Sequence, residues 1–323
     1  MDKKQNKHCK DGKDDKDGKD GKEHKYITNS IFNFLNYDCM TVIAQYMIKE
    51  RKFLLDWINP YDLDISRLCA NPNSIDFLEE MITIDPLIVE QLSWNDLSSN
   101  SKALSILKKF PNKIHWPSLC RNNHPEAVQM ILENPTKRSW SDLNLNHSKE
   151  ILSLVKRNNK VDWYNVVKNP YAEEFIEEFF NLKRQNLTLL PNSEEYDYVC
   201  WMRVCSNPLA AKYLKDFKDK INWNYLSENP APEAIELLKE NPNLIDWNAF
   251  SLNTNPEALK ILLENPKKIY WYNLSENPAA ISVLEQNKSD ICYPSLSKNP
   301  SIFSFNSKAF RKDLDEWINI NFK

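Results

Sequence analysis

The residues of this chain that could do chemistry are few, and their spacing does not bring them together. His115, His124 and His147 lie among ordinary repeat positions, and His8 and His24 precede them in a Lys/Asp-rich tail. None stands in an H-E-x-x-H or Cys/His pattern that would converge ligands on a metal, so no metal or cofactor is expected. The seven cysteines are dispersed, and only Cys200 and Cys205 are close together; they read as reduced thiols. Cys69, Cys120 and Cys205 take the place held elsewhere by Ser98, Ser227, Ser251, Ser275 and Ser297, which suits a small packed residue better than a nucleophile. Glu173, Glu174, Glu177 and Glu178 form two i, i+4 carboxylate pairs. General acid–base work or a cation site would use such pairs, but with no second reacting group beside them they read as a solvated helix face.

Glycine sharpens this reading. All three glycines, Gly12, Gly18 and Gly21, lie in the first 25 residues, so the rest of the chain cannot build the phosphate loops, dinucleotide turns or nucleophile elbows that need positive φ or close backbone approach. The protein is expected not to be an enzyme. A row of tryptophans suggests a stacking platform for single-stranded nucleic acid, yet the net charge is −3 and no basic footprint accompanies it; the tryptophans are read as core, and no nucleic-acid partner is expected. No stretch is apolar enough for a membrane span and the N-terminus carries no signal-peptide pattern, which together with the reduced thiols points to a cytosol-like compartment. The Asn-x-Ser/Thr sites at Asn146, Asn186, Asn273 and Asn287 are read as accidents of an Asn-rich composition.

The elements that must position these residues form a repeat. Aligned on an aromatic or its replacement, the chain gives Ile65, Trp94, Trp116, Trp140, Trp163, Trp201, Trp223, Trp247, Trp271 and Tyr293, mostly 22–24 residues apart. This is the mark of about ten stacked units and an all-α solenoid. The residue before the aromatic is often a helix N-cap (Asp64, Ser93, Ser139, Asp162, Asn222, Asp246), with Asp96 and Asp142 placed to close a capping-box-like pair. The apolar residue two before it (Ile221, Ile245, Ile269) and the one three after (Leu226, Phe250, Leu274) have the spacing of a hydrophobic staple. Asn-Pro pairs (Asn169, Asn207, Asn229, Asn255, Asn277 and Asn299, each followed by Pro) stop the first helix and start a second. Ala258, Leu259, Leu262 and Leu263 give that second helix one apolar face. Helices this short need stacking to form, with the Trp as the expected centre of each unit, and ten units at helix-packing distances would extend into a curved rod about 90 Å long.

Around this array, residues 1–25 read as a disordered tail and 26–60 as a helical N-terminal cap, with two helices from 27 to about 57. The array occupies 61–303 and 304–323 forms a closing helix. The stretch 182–200 reads as a degenerate unit built on Leu187–Pro191 rather than a long loop.

The alternation of Asp/Asn-Trp-x-x-Leu-Ser-x-Asn-Pro with Ala-Ile/Leu-x-x-Leu-x-x-Asn-Pro, preceded by Leu54-Leu55-Asp56-Trp57-Ile58, resembles a family of repeat proteins encoded in many copies by giant DNA viruses of amoebae. The resemblance covers roughly 52–303 and implies a helical-repeat architecture and a viral origin, and it assigns no activity. Leu35 to Tyr46 is also similar to the opening of an F-box, which implies a ubiquitin-ligase adaptor as a partner.

The function expected from these observations is a non-catalytic scaffold binding other proteins through the positions that change between units, Asn224, Tyr225, Asn248, Tyr272 and Asn273. The alternatives are an F-box-like substrate adaptor and a structural virion component.

Overall fold

A computed structural model describes residues 52–189, 194–305 and 312. The tail, the F-box-like segment and the helices expected between 27 and 51 lie outside the described residues. Residues 52–304 form one compact unit, built as the repeat requires. First helices begin at Ile65, Trp94, Trp116, Trp140, Trp163, Trp223, Trp247, Trp271 and Tyr293, and all nine are four to six residues long. The second helices are 4 to 12 residues long, the Pro-initiated ones being Pro125–Glu133, Pro232–Glu240 and Pro256–Leu263. Between one second helix and the next aromatic runs a short 3-10 turn, as at Pro111–Lys113, Pro242–Leu244 and Pro266–Lys268.

The caps work largely as the sequence suggests. Asp64, Ser93, Ser139, Asn222 and Asp246 accept the backbone N–H three residues on, and Ser93 Oγ donates to Asp96 at 2.7 Å. Asp162 departs from this pattern and makes no such cap. The Tyr196 hydroxyl stands there instead, accepting from the Tyr164 N–H at 3.1 Å and donating to Asp162 at 3.0 Å.

The centre of each unit is not the Trp. The apolar residue three positions after it (Leu97, Leu119, Leu143, Val166, Val204, Leu226, Phe250, Leu274, Leu296) is essentially inaccessible, whereas among the tryptophans of the aromatic register only Trp163 and Trp201 are buried. The others pack half-buried against the core, because a side chain at the first helical position lies at the rim of the layer and only one a turn later points into it. Lysines from the next 3-10 turn cover two of the exposed ring faces, Lys137 over Trp116 at 4.3 Å and Lys268 over Trp247 at 5.8 Å, as cation–π pairs.

Residues 182–184 and 194–200, at the two ends of the stretch read as a degenerate unit, belong to helices of the neighbouring units. The second helix of the fifth unit runs through Glu173–Arg184 and the first helix of the sixth is lengthened to Glu194–Ser206, with Trp201 in its second half. An aromatic cluster supports this elongation: Phe179 and Phe180 meet the Trp201 ring at 5.1 and 5.8 Å, and Phe217 meets it at 5.3 Å. A buried ion pair, Lys183–Asp197 at 2.5 Å, ties the two helices together.

The array is not an open rod. Lys52–Leu54 (β1) pairs with Phe303–Phe305 (β2) in a two-stranded sheet, and the Leu55 N–H donates to the Ile302 carbonyl at 2.9 Å. Strand thus replaces the last residues of the expected N-terminal helices, and the tenth unit carries β2 where the others carry a second helix. The closing helix expected over 304–323 begins inside β2, and its remainder apart from Lys312 lies outside the described residues. Unit one packs on unit ten through the same bonds that join any two neighbours, so the ten units form a closed ring.

Candidate functional site

The ring is held by one side chain per unit. Six residues after each aromatic stands an asparagine: Asn71, Asn100, Asn122, Asn146, Asn169, Asn207, Asn229, Asn253, Asn277 and Asn299. Each is buried. Asn253 shows the pattern: its Nδ2 donates to the Ser227 carbonyl at 2.8 Å and the Asn229 carbonyl at 2.9 Å, both in the preceding unit, while its Oδ1 accepts the Asn255 N–H at 3.0 Å. A helix C-terminus leaves carbonyls without intrahelical partners, which a following glycine commonly resolves by turning the chain back. Here the next unit's amide satisfies them, which is why an array without glycine can end its helices. Among the described residues only Asn159 and Asn186 take positive φ, each just past a second helix that ends without proline.

A second bond runs beside the first. Ser227 Oγ accepts the Asp246 N–H at 3.0 Å, as Ser98, Ser251 and Ser275 do for their successors. Cys69, Cys120 and Cys205 do the same with sulfur at 3.3–3.4 Å. The cysteines are therefore acceptors in the frame, and burial pushes the Cys69 thiol up to about 12 and Cys205 to about 11. Across the seam both bonds recur: Asn71 Nδ2 donates to the Ser297 and Asn299 carbonyls at 3.1 and 2.9 Å, and Ser297 Oγ accepts the Asp64 N–H at 2.8 Å.

Closure gives the first helices a concave face. The positions one, two and five after the aromatic share a helix side opposite the buried pair at three and four, and contacts there skip units. Arg67 of unit one donates to the Tyr272 hydroxyl of unit nine at 3.3 Å, past unit ten. Side chains reach over an intervening unit only on the inside of a curve. The second helices face outward, where wider spacing is bridged by Lys–Glu pairs such as Lys239–Glu257 at 2.8 Å and Lys215–Glu236 at 3.0 Å.

The residues singled out by the sequence fall as follows. Asn224, Tyr225, Asn248, Tyr272 and Asn273 are all on the inner face, but not all are free of neighbours. Asn224 donates to Asp246 at 2.7 Å, and Asn273 Nδ2 donates to the Asn248 carbonyl at 2.8 Å. Tyr272 is 55% exposed. His115 and His124 use Nδ1 to accept backbone N–H groups at helix starts, and His147 stacks on Tyr171 at 4.2 Å. The carboxylates Glu174 and Glu178 lie on the outer belt, both paired with Lys156. No group of three or more His, Cys, Asp or Glu that could hold a metal occurs among the described residues.

The inner face also carries a cavity of about 540 Å³, lined by residues of five successive units from Ser99 to Arg203. Sequence reading missed it, since Arg121, Lys168 and Arg203 are isolated in the chain. Of the ten buried asparagines, Asn169, Asn207, Asn229, Asn277 and Asn299 are legible in the sequence only as helix stops, with Asn255 taken in place of Asn253, because the inter-unit bonds have no local signature; counting six from the aromatic finds all ten. Comparison with protein-family models, curated protein sequences and solved structures gives no match to this chain.

Proposed function

We propose that the ring is a non-catalytic protein–protein interaction scaffold, of viral origin, which receives its partner on the inner face. The observation that carries this reading is the division of labour along the first helix. Its buried positions repeat and are committed to the frame, while the positions that change from unit to unit gather on one concave face that includes Tyr225 and Tyr272. Tyrosine brings large contact area with little rotamer entropy to lose and a hydroxyl for a polar partner, which is why it is enriched at interfaces. Among the described residues, His115 and His124 serve as caps, His147 as a stacking partner, and Cys69, Cys120 and Cys205 as hydrogen-bond acceptors. The test is site-specific photocrosslinking in infected amoebal cells, with a benzophenone side chain at 225 or 272 on the inner face and at 236 on the outer belt. A discrete adduct with another protein from 225 and 272 but not from 236 is expected. Equal labelling from all three positions, or none, refutes the reading.

A further inference from the structure

The lining of the inner-face cavity is cationic without an acidic residue among it. Arg121 of unit three, Lys168 of unit five and Arg203 of unit six converge on about 540 Å³, with Ser99 and Asn165 adding polar groups and no carboxylate in the lining. A groove of about 800 Å³ between the second helices of units four and five is, by contrast, lined by Lys149, Lys156 and Arg157 together with Glu173, Glu174 and Glu177, and so neutralises itself. In the inner cavity Lys168 and Arg203 make no ion pair among the described residues. The Arg203 guanidinium carbon lies 3.7 Å from the centre of the Tyr164 ring and the group donates to the ring's hydroxyl, which holds the fork in place. Arg121 is held by Ser118 at 2.9 Å, with one carboxylate, Asp142, 3.5 Å from its Nε. Two further acids are nearby: Glu228, whose carboxyl is pushed up by burial against the opposing pull of Lys168, and Asp162, which accepts from the lining Asn165 at 2.8 Å. His147, also in the wall, has its imidazole pKa lowered by burial and adds a neutral polar edge.

We propose that this cavity is a binding site for a small ligand carrying at least two phosphate groups, gripped by Arg121, Lys168 and Arg203. Guanidinium forks match phosphate oxygens two at a time, and an ammonium adds a point charge. Low-dielectric walls around like charges concentrate the field on whatever enters. A single phosphate would satisfy one or two of three cations presented by three different units, whereas two or three linked phosphates would reach all of them within a volume of ordinary ligand-pocket size. The inference does not depend on the inner face also taking a protein partner, because a free ligand would fill the cavity by itself.

The test is titration calorimetry of the full chain with tripolyphosphate at fixed ionic strength, with sulfate as the control. One saturable site per chain is expected. Lys168→Gln, an exposed substitution that leaves the frame untouched, and Arg121→Ala should each weaken it at least about tenfold, as loss of a charge-assisted contact does, while Lys239→Ala on the outer belt should not. Circular dichroism and the urea midpoint confirm that each variant remains folded. A doubly phosphorylated peptide and its unphosphorylated form are then used as competitors. No displacement by either peptide upholds a free small ligand, whereas displacement by the phosphorylated form alone assigns the phosphates to a partner's chain and overturns the small-ligand assignment. Absence of saturable binding, or equal binding by Lys168→Gln, overturns it.

Discussion

Replacing Asn71 with alanine asks directly whether the ring is closed. Asn71 is fully buried, and its amide makes three bonds: to the Ser297 carbonyl at 3.1 Å, to the Asn299 carbonyl at 2.9 Å and from the Asn73 N–H at 3.0 Å. Alanine leaves two carbonyls and one N–H buried without these partners. At about 1–3 kcal/mol for each buried group left unsatisfied, with some relief from relaxation and entering water, the loss should come to about 3–5 kcal/mol. The same substitution at Asn253, in the middle of the array, removes the same three kinds of bond and should cost the same. In an open rod the two would differ, because Asn71 would face solvent at the end of the stack and only its local bond to Asn73 would be lost, for about 1 kcal/mol. The assay is urea denaturation of wild type, Asn71→Ala and Asn253→Ala, compared at equal m-values, with the exposed Asn243→Ala as the surface control. Hydrogen exchange should also show loss of protection at Asp64, whose N–H is bonded to Ser297 across the seam. A cost for Asn71→Ala within about 1 kcal/mol of the surface control, alongside a large one for Asn253→Ala, would refute closure.

Other outcomes follow from the same frame. Cys205→Ser should be nearly neutral, because Ser227 holds the equivalent N–H in the next unit, while Cys205→Val should cost about 1–3 kcal/mol by stranding the Asn222 N–H, read from urea midpoints. Because the Cys69 and Cys205 thiols are raised from 9.0 to about 12 and about 11, the stability linked to keeping them protonated is fully present below about pH 9. It falls as pH climbs from there through 11 and 12, so the denaturation midpoint of the wild type should decline in that window more than that of a Cys69→Ser, Cys205→Ser double variant. In the native protein these two thiols should also resist dithionitrobenzoate at pH 8 and react only on unfolding. Lys183→Met should destabilise by about 1–3 kcal/mol by leaving the half-buried Asp197 with only the Leu189 N–H as partner among the described residues, with much of the loss recovered in Lys183→Met, Asp197→Leu, a coupling that a double-mutant cycle measures.

The sequence by itself determined the unit, because everything in it is local. A cap one residue before the aromatic, a staple across the first turn and a proline at the start of the second helix act over a few residues, so a helical repeat with its helix starts at Ile65, Trp94 and Trp116 was legible from spacing alone. The role of Ser227 and Cys205 as packed small residues was legible in the same way, though not their bond to the next unit's N–H. What only the tertiary structure decided concerns angles between units. The wedge each unit makes depends on short first helices packing tightly inside and longer second helices held apart by lysine–glutamate pairs outside. Ten such wedges of about 36° complete a circle, and no single repeat carries a signature of that sum. Closure then turned Lys52–Leu54 from expected helix into strand, because β2 offered it backbone partners from more than two hundred residues away. It also placed Arg121, Lys168 and Arg203, scattered along the chain, around one cavity. Their convergence depends on curvature, a property that exists only once the ring has formed.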